Sequence, residues 1–264
     1  MLESPEVLVM MLLIMGALMA GFTDAVVGGG GLIQVPLLFI LYPEYNHVQV
    51  IATNRFASIF GTTVAAYQYW KKMGLALETV ATAGISAAIG SFSGVFIMNQ
   101  ISTEIFKPML LGIIILLTLY TFFNKSFGQL HRPQNMNHSK YIILCITVGL
   151  FIGLYNGIVG PGTGVLLVFS LVSILGKDFL HASASAKAIN AIADAASLIS
   201  FLINKAIIFK LAIPMMIANV TGSYIGSHLA INKGNAFVRY FFLVIVSILI
   251  LRLGLDIWNM GVKK

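Results

Sequence analysis

Apolar residues run along this chain in ten blocks, at about 7–22, 32–42, 48–70, 75–98, 105–123, 140–154, 165–176, 183–203, 206–230 and 237–258. A helix that spans a bilayer needs about 20 apolar residues. The third, fourth, fifth, eighth, ninth and tenth blocks reach that length. Blocks 32–42 and 165–176 are short, and each follows a cluster of glycines. They read either as short tilted spans or as half-helices that enter and return. The stretch 124–140 is polar, with Asn124, Lys125, Arg132, Pro133, Asn135, Asn137 and Lys140 and no acid. It divides the blocks five and five.

The glycine clusters organise this pattern. The first is Gly21-Phe-Thr-Asp-Ala-Val-Val-Gly-Gly-Gly-Gly31, at the end of the first block. Glycine costs a helix about 1 kcal/mol relative to Ala, so four in succession predict a break. Within a membrane such a break survives only where protein or a wet cavity satisfies its backbone. The second cluster is Gly153-Leu-Tyr-Asn-Gly-Ile-Val-Gly-Pro-Gly-Thr-Gly164, 132 residues later. Gly21, Asp24, Gly28 and Gly30 face Gly153, Asn156, Gly160 and Gly162. At the same offset Ala52-Thr53-Asn54-Arg55 faces Ala184-Ser185-Ala186-Lys187. Gly90-Ser91-Phe92-Ser93-Gly94 faces Gly222-Ser223-Tyr224-Ile225-Gly226, and Lys107 faces Arg239. Such repetition predicts a duplication. The fold expected is all-α: one transmembrane domain of two five-segment pseudo-symmetric repeats with 8–10 transmembrane segments, inverted if the short blocks cross; if they do not, each half has four spans and the repeats run parallel. Repeat 1 covers about 1–125, a linker about 126–139, and repeat 2 about 140–264.

Composition narrows the solvent. Hydrophobic residues make up 58% of the chain, charged residues 9%, and mean hydropathy is +0.94. A soluble domain carries about 25% charged residues, so the expected partner is the lipid bilayer, as a multi-pass protein of the cell (inner) membrane. The net charge of +7 is scattered, without a basic block among aromatics, so nucleic acid is not expected. The single Cys145 allows no internal disulfide and no CxxC site. Near the N-terminus stand Glu3 and Glu6 rather than a basic region, so block 7–22 reads as a retained helix. Basic loops favour the cytoplasmic side, which puts the linker and Lys71-Lys72 inside and Glu44 outside. Inversion then puts Lys205 and Lys210 outside.

Four charges fall in the middle of apolar blocks: Asp24, Arg55, Lys187 and Asp194. Each costs about 2.5–3.5 kcal/mol at the bilayer centre and therefore needs a partner or a cavity. Arg55, Ser58 and Thr62 share one helix face, and Lys187, Asn190 and Asp194 share the equivalent face. One reading is an anion site made by two facing cations. Thr53, Asn54, Ser58, Ser185 and Asn190 would add neutral hydrogen bonds. Backbone N–H groups would come from Gly28, Gly29, Gly30 and Gly31 and from Gly160, Pro161, Gly162, Thr163 and Gly164, since helix N-termini bind oxyanions. Asp24 and Asp194 are proton-coupling candidates. The other reading is structural, with Lys187 pairing to Asp194 and Arg55 to Asp24. Gly90-xxx-Gly94, Gly222-xxx-Gly226 and Gly149-xxx-Gly153-xxx-Gly157 read as close helix packing. Neither glycine cluster ends in Gly-Lys-Ser/Thr, so nucleotide is not expected. The five histidines lack metal spacing, and no cofactor is expected.

The glycine and charge motifs carry a resemblance. Gly21-xx-Asp24-xxx-Gly28-x-Gly30-Gly31 with Pro36, Gly153-xx-Asn156-xxx-Gly160-Pro161-Gly162-Thr163-Gly164, and Ala184-xx-Lys187-xx-Asn190 resemble the sulfite exporter TauE/SafE family over nearly the whole chain. The resemblance implies a transporter that moves sulfite, organosulfonates or related sulfur-containing or carboxylate anions across the cytoplasmic membrane. Both export and uptake occur in that family. The function expected is a secondary transporter of a small anion, working by alternating access. An anion channel is the alternative within transport. An intramembrane enzyme would need an activated nucleophile or a metal triad, and the sequence presents neither. A second copy of the chain, in a homodimer, is the protein partner considered.

Overall fold

The computed structural model describes residues 5–106, 108, 109, 112 and 137–262, with the side chains of Pro5, Asn235, Arg239 and 242–262 left aside. The described residues form α1 (Pro5–Val27), α2 (Gly30–Leu41), α3 (His47–Met73), α4 (Leu77–Met98), α5 (His138–Ile158), α6 (Thr163–Ser173), α7 (Phe179–Ile203) and α8 (Phe209–Val262), the last divided at Gly234 (φ 73°, ψ −166°). Block 105–123 lies largely outside the described residues, as do most of the linker and the Lys107–Arg239 match. Among the described residues, four helices are long and apolar enough to cross a membrane: α1 from Glu6, α4, α5 and α7.

The glycine clusters break the chain later than their first glycine suggests. α1 continues through Gly21 and Asp24 and ends at Val27; Gly28, at φ +86°, turns the chain. α5 likewise continues through Gly153 and Asn156, and Gly160 turns it at φ +88°. Gly21 and Gly153 serve packing instead. A methyl on Gly21 would strike the Asn219 carbonyl, and one on Gly153 the Ala87 carbonyl. Beyond the breaks, α2 has 12 residues and α6 has 11. At 1.5 Å per residue these reach about 18 and 16 Å, half a hydrocarbon core. α2 folds back along α1: Gly30 sits against the Ala20 carbonyl and Gly16 against the Leu37 side chain.

The two breaks meet. A Cβ on Gly164 would lie 2.5 Å from Gly28 Cα, and one on Gly31 would lie 3.1 Å from Pro161 Cα. Around this crossing α1 packs on the first part of α8, α4 on α5, and α3 on α7. The close contacts recur at the 132-residue spacing. Gly90 abuts Leu150 as Gly222 abuts Leu18, and Gly94 abuts Leu154 as Gly226 abuts Phe22. Small residues let these helix backbones approach, which is how helices associate without a hydrophobic driving force.

The molecule has two ends. Glu6, Glu44 and Lys210 border one cleft, so the starts of α1 and α8 and the α2–α3 turn share one end. Glu78 pairs with His138 at 3.4 Å, and Lys177 donates to Thr79 at 3.3 Å. The starts of α4 and α5 and the α6–α7 turn therefore share the other.

Candidate functional site

All four mid-block charges are buried at the crossing: Asp24 at 8%, Arg55 at 4%, Lys187 at 1% and Asp194 at 1% exposed. They form two ion pairs, and the pairing is the reverse of the structural reading from sequence. Lys187 Nζ donates to Asp24 Oδ2 at 3.0 Å, and Arg55 Nη1 pairs with Asp194 Oδ1. Neither pair lies within one helix; each joins elements from both halves. Thr62 donates to Asp24 Oδ2 at 3.0 Å.

Asn156, in the last turn of α5, ties the second pair together. Its Oδ1 accepts from Arg55 Nη1 at 2.7 Å and lies 2.8 Å from the Thr163 hydroxyl. Its Nδ2 donates to Asp194 Oδ1 at 3.0 Å and to Ser91 at 3.1 Å, and its carbonyl accepts from Arg55 Nη2 at 2.7 Å. Asn190 donates to Asp194 Oδ2 at 3.1 Å. Gly160 lets the guanidinium reach the break, since a Cβ there would lie 2.6 Å from Arg55 Nη2.

The two clusters occupy equivalent positions with the acid exchanged. Asp24, Thr62 and Lys187 stand where Asn156, Asp194 and Arg55 stand 132 positions away. Each cluster keeps one acid, one cation and one neutral hydrogen-bonding group, so each is neutral as a unit. A buried charge without its partner would cost several kcal/mol. Together with the breaks, the clusters enclose a cavity of about 30 Å³, space for one or two waters.

The structure brings most of the expected residues to this cavity. Asp24, Asn54, Arg55, Ser58, Asn190 and Asp194 line it, as do Gly28, Gly30, Gly31, Gly160, Pro161, Gly162, Thr163 and Gly164. Ser58 donates its hydroxyl to the Arg55 carbonyl at 3.3 Å. Gly29 caps α2 behind the lining, and Lys187 reaches the site only through Asp24. Thr53 lies elsewhere: its hydroxyl accepts from the Ile208 N–H at 3.1 Å. Ser185, its equivalent, accepts from Lys177 at 3.4 Å. Sequence reasoning missed Asn156, although its match to Asp24 marks it, and Asn219. Asn219 and Thr62 also line the cavity. Thr62 was visible on the Arg55 stripe, whereas Asn219 has no equivalent polar residue, Ala87 standing opposite it.

A multi-pass helical protein with paired charges buried between two helix breaks belongs among membrane transporters, and the comparisons agree. The family model for the sulfite exporter TauE/SafE matches residues 13–253, and this chain belongs to that family. A probable membrane transporter protein of Haemophilus influenzae is 31% identical over 83% of this chain and 84% of its own length. The probable membrane transporter protein YfcA of Escherichia coli K12 is 24% identical over 91% of this chain and 87% of its own. YdhB of Bacillus subtilis, also a probable membrane transporter protein, is 21% identical over 84% and 87%. No solved structure matches the chain.

Proposed function

We propose that this protein is a secondary transporter that moves a small anion, sulfite or an organosulfonate, together with protons across the cytoplasmic membrane by alternating access. The observation that carries the reading is that each buried cation already holds a carboxylate at the cavity. An external anion must therefore compete with Asp194 for Arg55. A proton taken up by the Asp194 carboxylate neutralises it and frees the guanidinium, which then pairs with the anion. The first-turn amides of α2 and α6, apart from those of Leu32 and Thr163, which donate to the Gly29 and Gly160 carbonyls, add donors at the breaks. Asp24 and Lys187 form a second pair that opens by the same rule. The 30 Å³ cavity fits a closed stage of such a cycle better than an open pore.

The two ends described above support an inverted arrangement. α1 starts at one end, and its equivalent α5 starts at the other. Because α2 returns along α1, the two cross together or neither crosses, so each half makes an odd number of crossings when block 105–123 spans. Inverted halves meeting at broken helices are a recurring transporter device.

Arg55→Gln should leave Asp194 as a lone buried charge and cost about 3–5 kcal/mol of stability. Arg55→Gln with Asp194→Asn removes both charges and should restore thermal stability to near the unmutated value. In proteoliposomes with an inward proton gradient the unmutated protein should concentrate sulfite, and the folded double variant should not. Equal transport by the double variant would make the pair structural. Sulfite flux indifferent to the proton gradient would point to a channel.

A further inference from the structure

Three buried polar groups at the cavity have no partner among the described residues: Asn54 Oδ1, Asn190 Oδ1 and Arg55 Nε. Asn54 makes no side-chain hydrogen bond, yet it is 7% exposed and faces the cavity. Asn190 spends its amide nitrogen on Asp194, which turns its oxygen elsewhere. A buried amide without a partner is costly, so these groups are open to whatever enters the cavity, water or ligand. Rotating the Asn54 amide by half a turn changes nothing in the count, because an amide always brings one acceptor as well as two donors.

The free set is therefore mixed. Arg55 Nε–H and the Asn54 amide nitrogen offer donors to an oxyanion. The two amide oxygens offer acceptors, and an oxyanion with lone pairs alone would set oxygen against oxygen there. Building on the proposed anion site, we propose that this cavity selects monoanions that carry their own hydrogen-bond donor. These are protonated oxyanions or sulfonyl anions bearing an N–H or O–H, with Asn54 as the residue that reads the donor. A fully deprotonated oxyanion is the poorer ligand. A site built to hydrogen-bond a substrate N–H or O–H rejects the analogue lacking it more sharply than a merely apolar pocket could.

Sulfamate and methanesulfonate test this directly. Both are tetrahedral monoanions of one size at neutral pH, and they differ in carrying an NH₂ or a CH₃ on sulfur. Isothermal titration of the purified full chain with each should give sulfamate at least about tenfold tighter. Asn54→Leu, near in volume, should bring the two to within about twofold. Equal affinity for the two probes in the unmutated protein would overturn the donor reading and leave the anion transporter standing. So would sulfite binding with no binding of either probe. A sulfamate preference that survives in Asn54→Leu would overturn the role of Asn54. If sulfite, sulfamate and methanesulfonate all fail to bind, the anion site falls and the inference with it.

Discussion

A methyl group on Gly164 would sit 2.5 Å from Gly28 Cα, inside van der Waals contact with backbone that cannot swing aside. Gly28 adds a positive φ of +86°, and Gly74 has a similar +71° with nothing within 4 Å of its Cβ position. The pair separates two costs. Gly74→Ala should lose about 1–3 kcal/mol, the backbone penalty of its φ 71°, ψ 175° conformation alone. Gly28→Ala and Gly164→Ala should each add or substitute overpacking of about 1–3 kcal/mol. Melting temperature in detergent ranks them: Gly28→Ala should fall furthest, and a Gly74→Ala protein equally damaged would deny the crossing its importance. At this scale the sequence was informative about which residues matter and silent about who holds whom. Arg55 and Lys187 stood out because charge is rare in apolar blocks. That Arg55 takes Asp194, and Lys187 takes Asp24, depends on how α3 and α7 cross, which no spacing along one helix encodes. Thr53 misled because its neighbours Asn54 and Arg55 face the cavity while it turns to the Ile208 amide.

Helix boundaries follow local chemistry that can be tested element by element. α7 begins at Asp178, whose Oδ1 accepts from the Leu180 and His181 N–H groups at 3.0 Å each, while the His181 ring lies 2.6 Å from Oδ2. Burial pushes the Asp178 carboxyl up, but the hydrogen bonds from His181 and Leu180 outweigh it and hold the carboxyl below its ordinary range. A depressed acid stabilises the fold above its unfolded pKa, and that contribution is lost as pH falls through the folded value. Asp178→Ala should therefore cost about 1 kcal/mol at neutral pH. The difference in melting temperature from the unmutated protein should shrink in strong acid; a constant gap from neutral to acid pH would rule out the carboxylate cap. The breaks were legible as glycine runs, and the short helices beyond them as short blocks. Their onset was not, because Gly21 and Gly153 are helical residues that admit a neighbouring backbone, and glycine alone does not say which of its two uses applies.

Across the whole molecule the arrangement of ends gives a topology that labelling can check. In a Cys145→Ala background, Glu44→Cys and Lys205→Cys should react with an impermeant maleimide in intact cells. Lys72→Cys and His138→Cys should react after permeabilisation alone. Labelling of Glu44→Cys and Lys205→Cys from opposite sides would break the inverted reading. The 132-residue recurrence was visible in sequence because packing glycines and buried charges recur wherever the same helix contacts recur. The exchange of the acid was visible too, as Asp24 against Asn156 and Thr62 against Asp194, but its meaning needed the two clusters side by side. One is closed by a guanidinium braced on an amide and a backbone carbonyl, the other by a single flexible ammonium. In the proposed cycle, two latches of unequal stiffness would hold the molecule unevenly. In that cycle a chain with identical halves would rest as often facing one side as the other; this one would carry a built-in lean, set by which half supplies the guanidinium and which the ammonium.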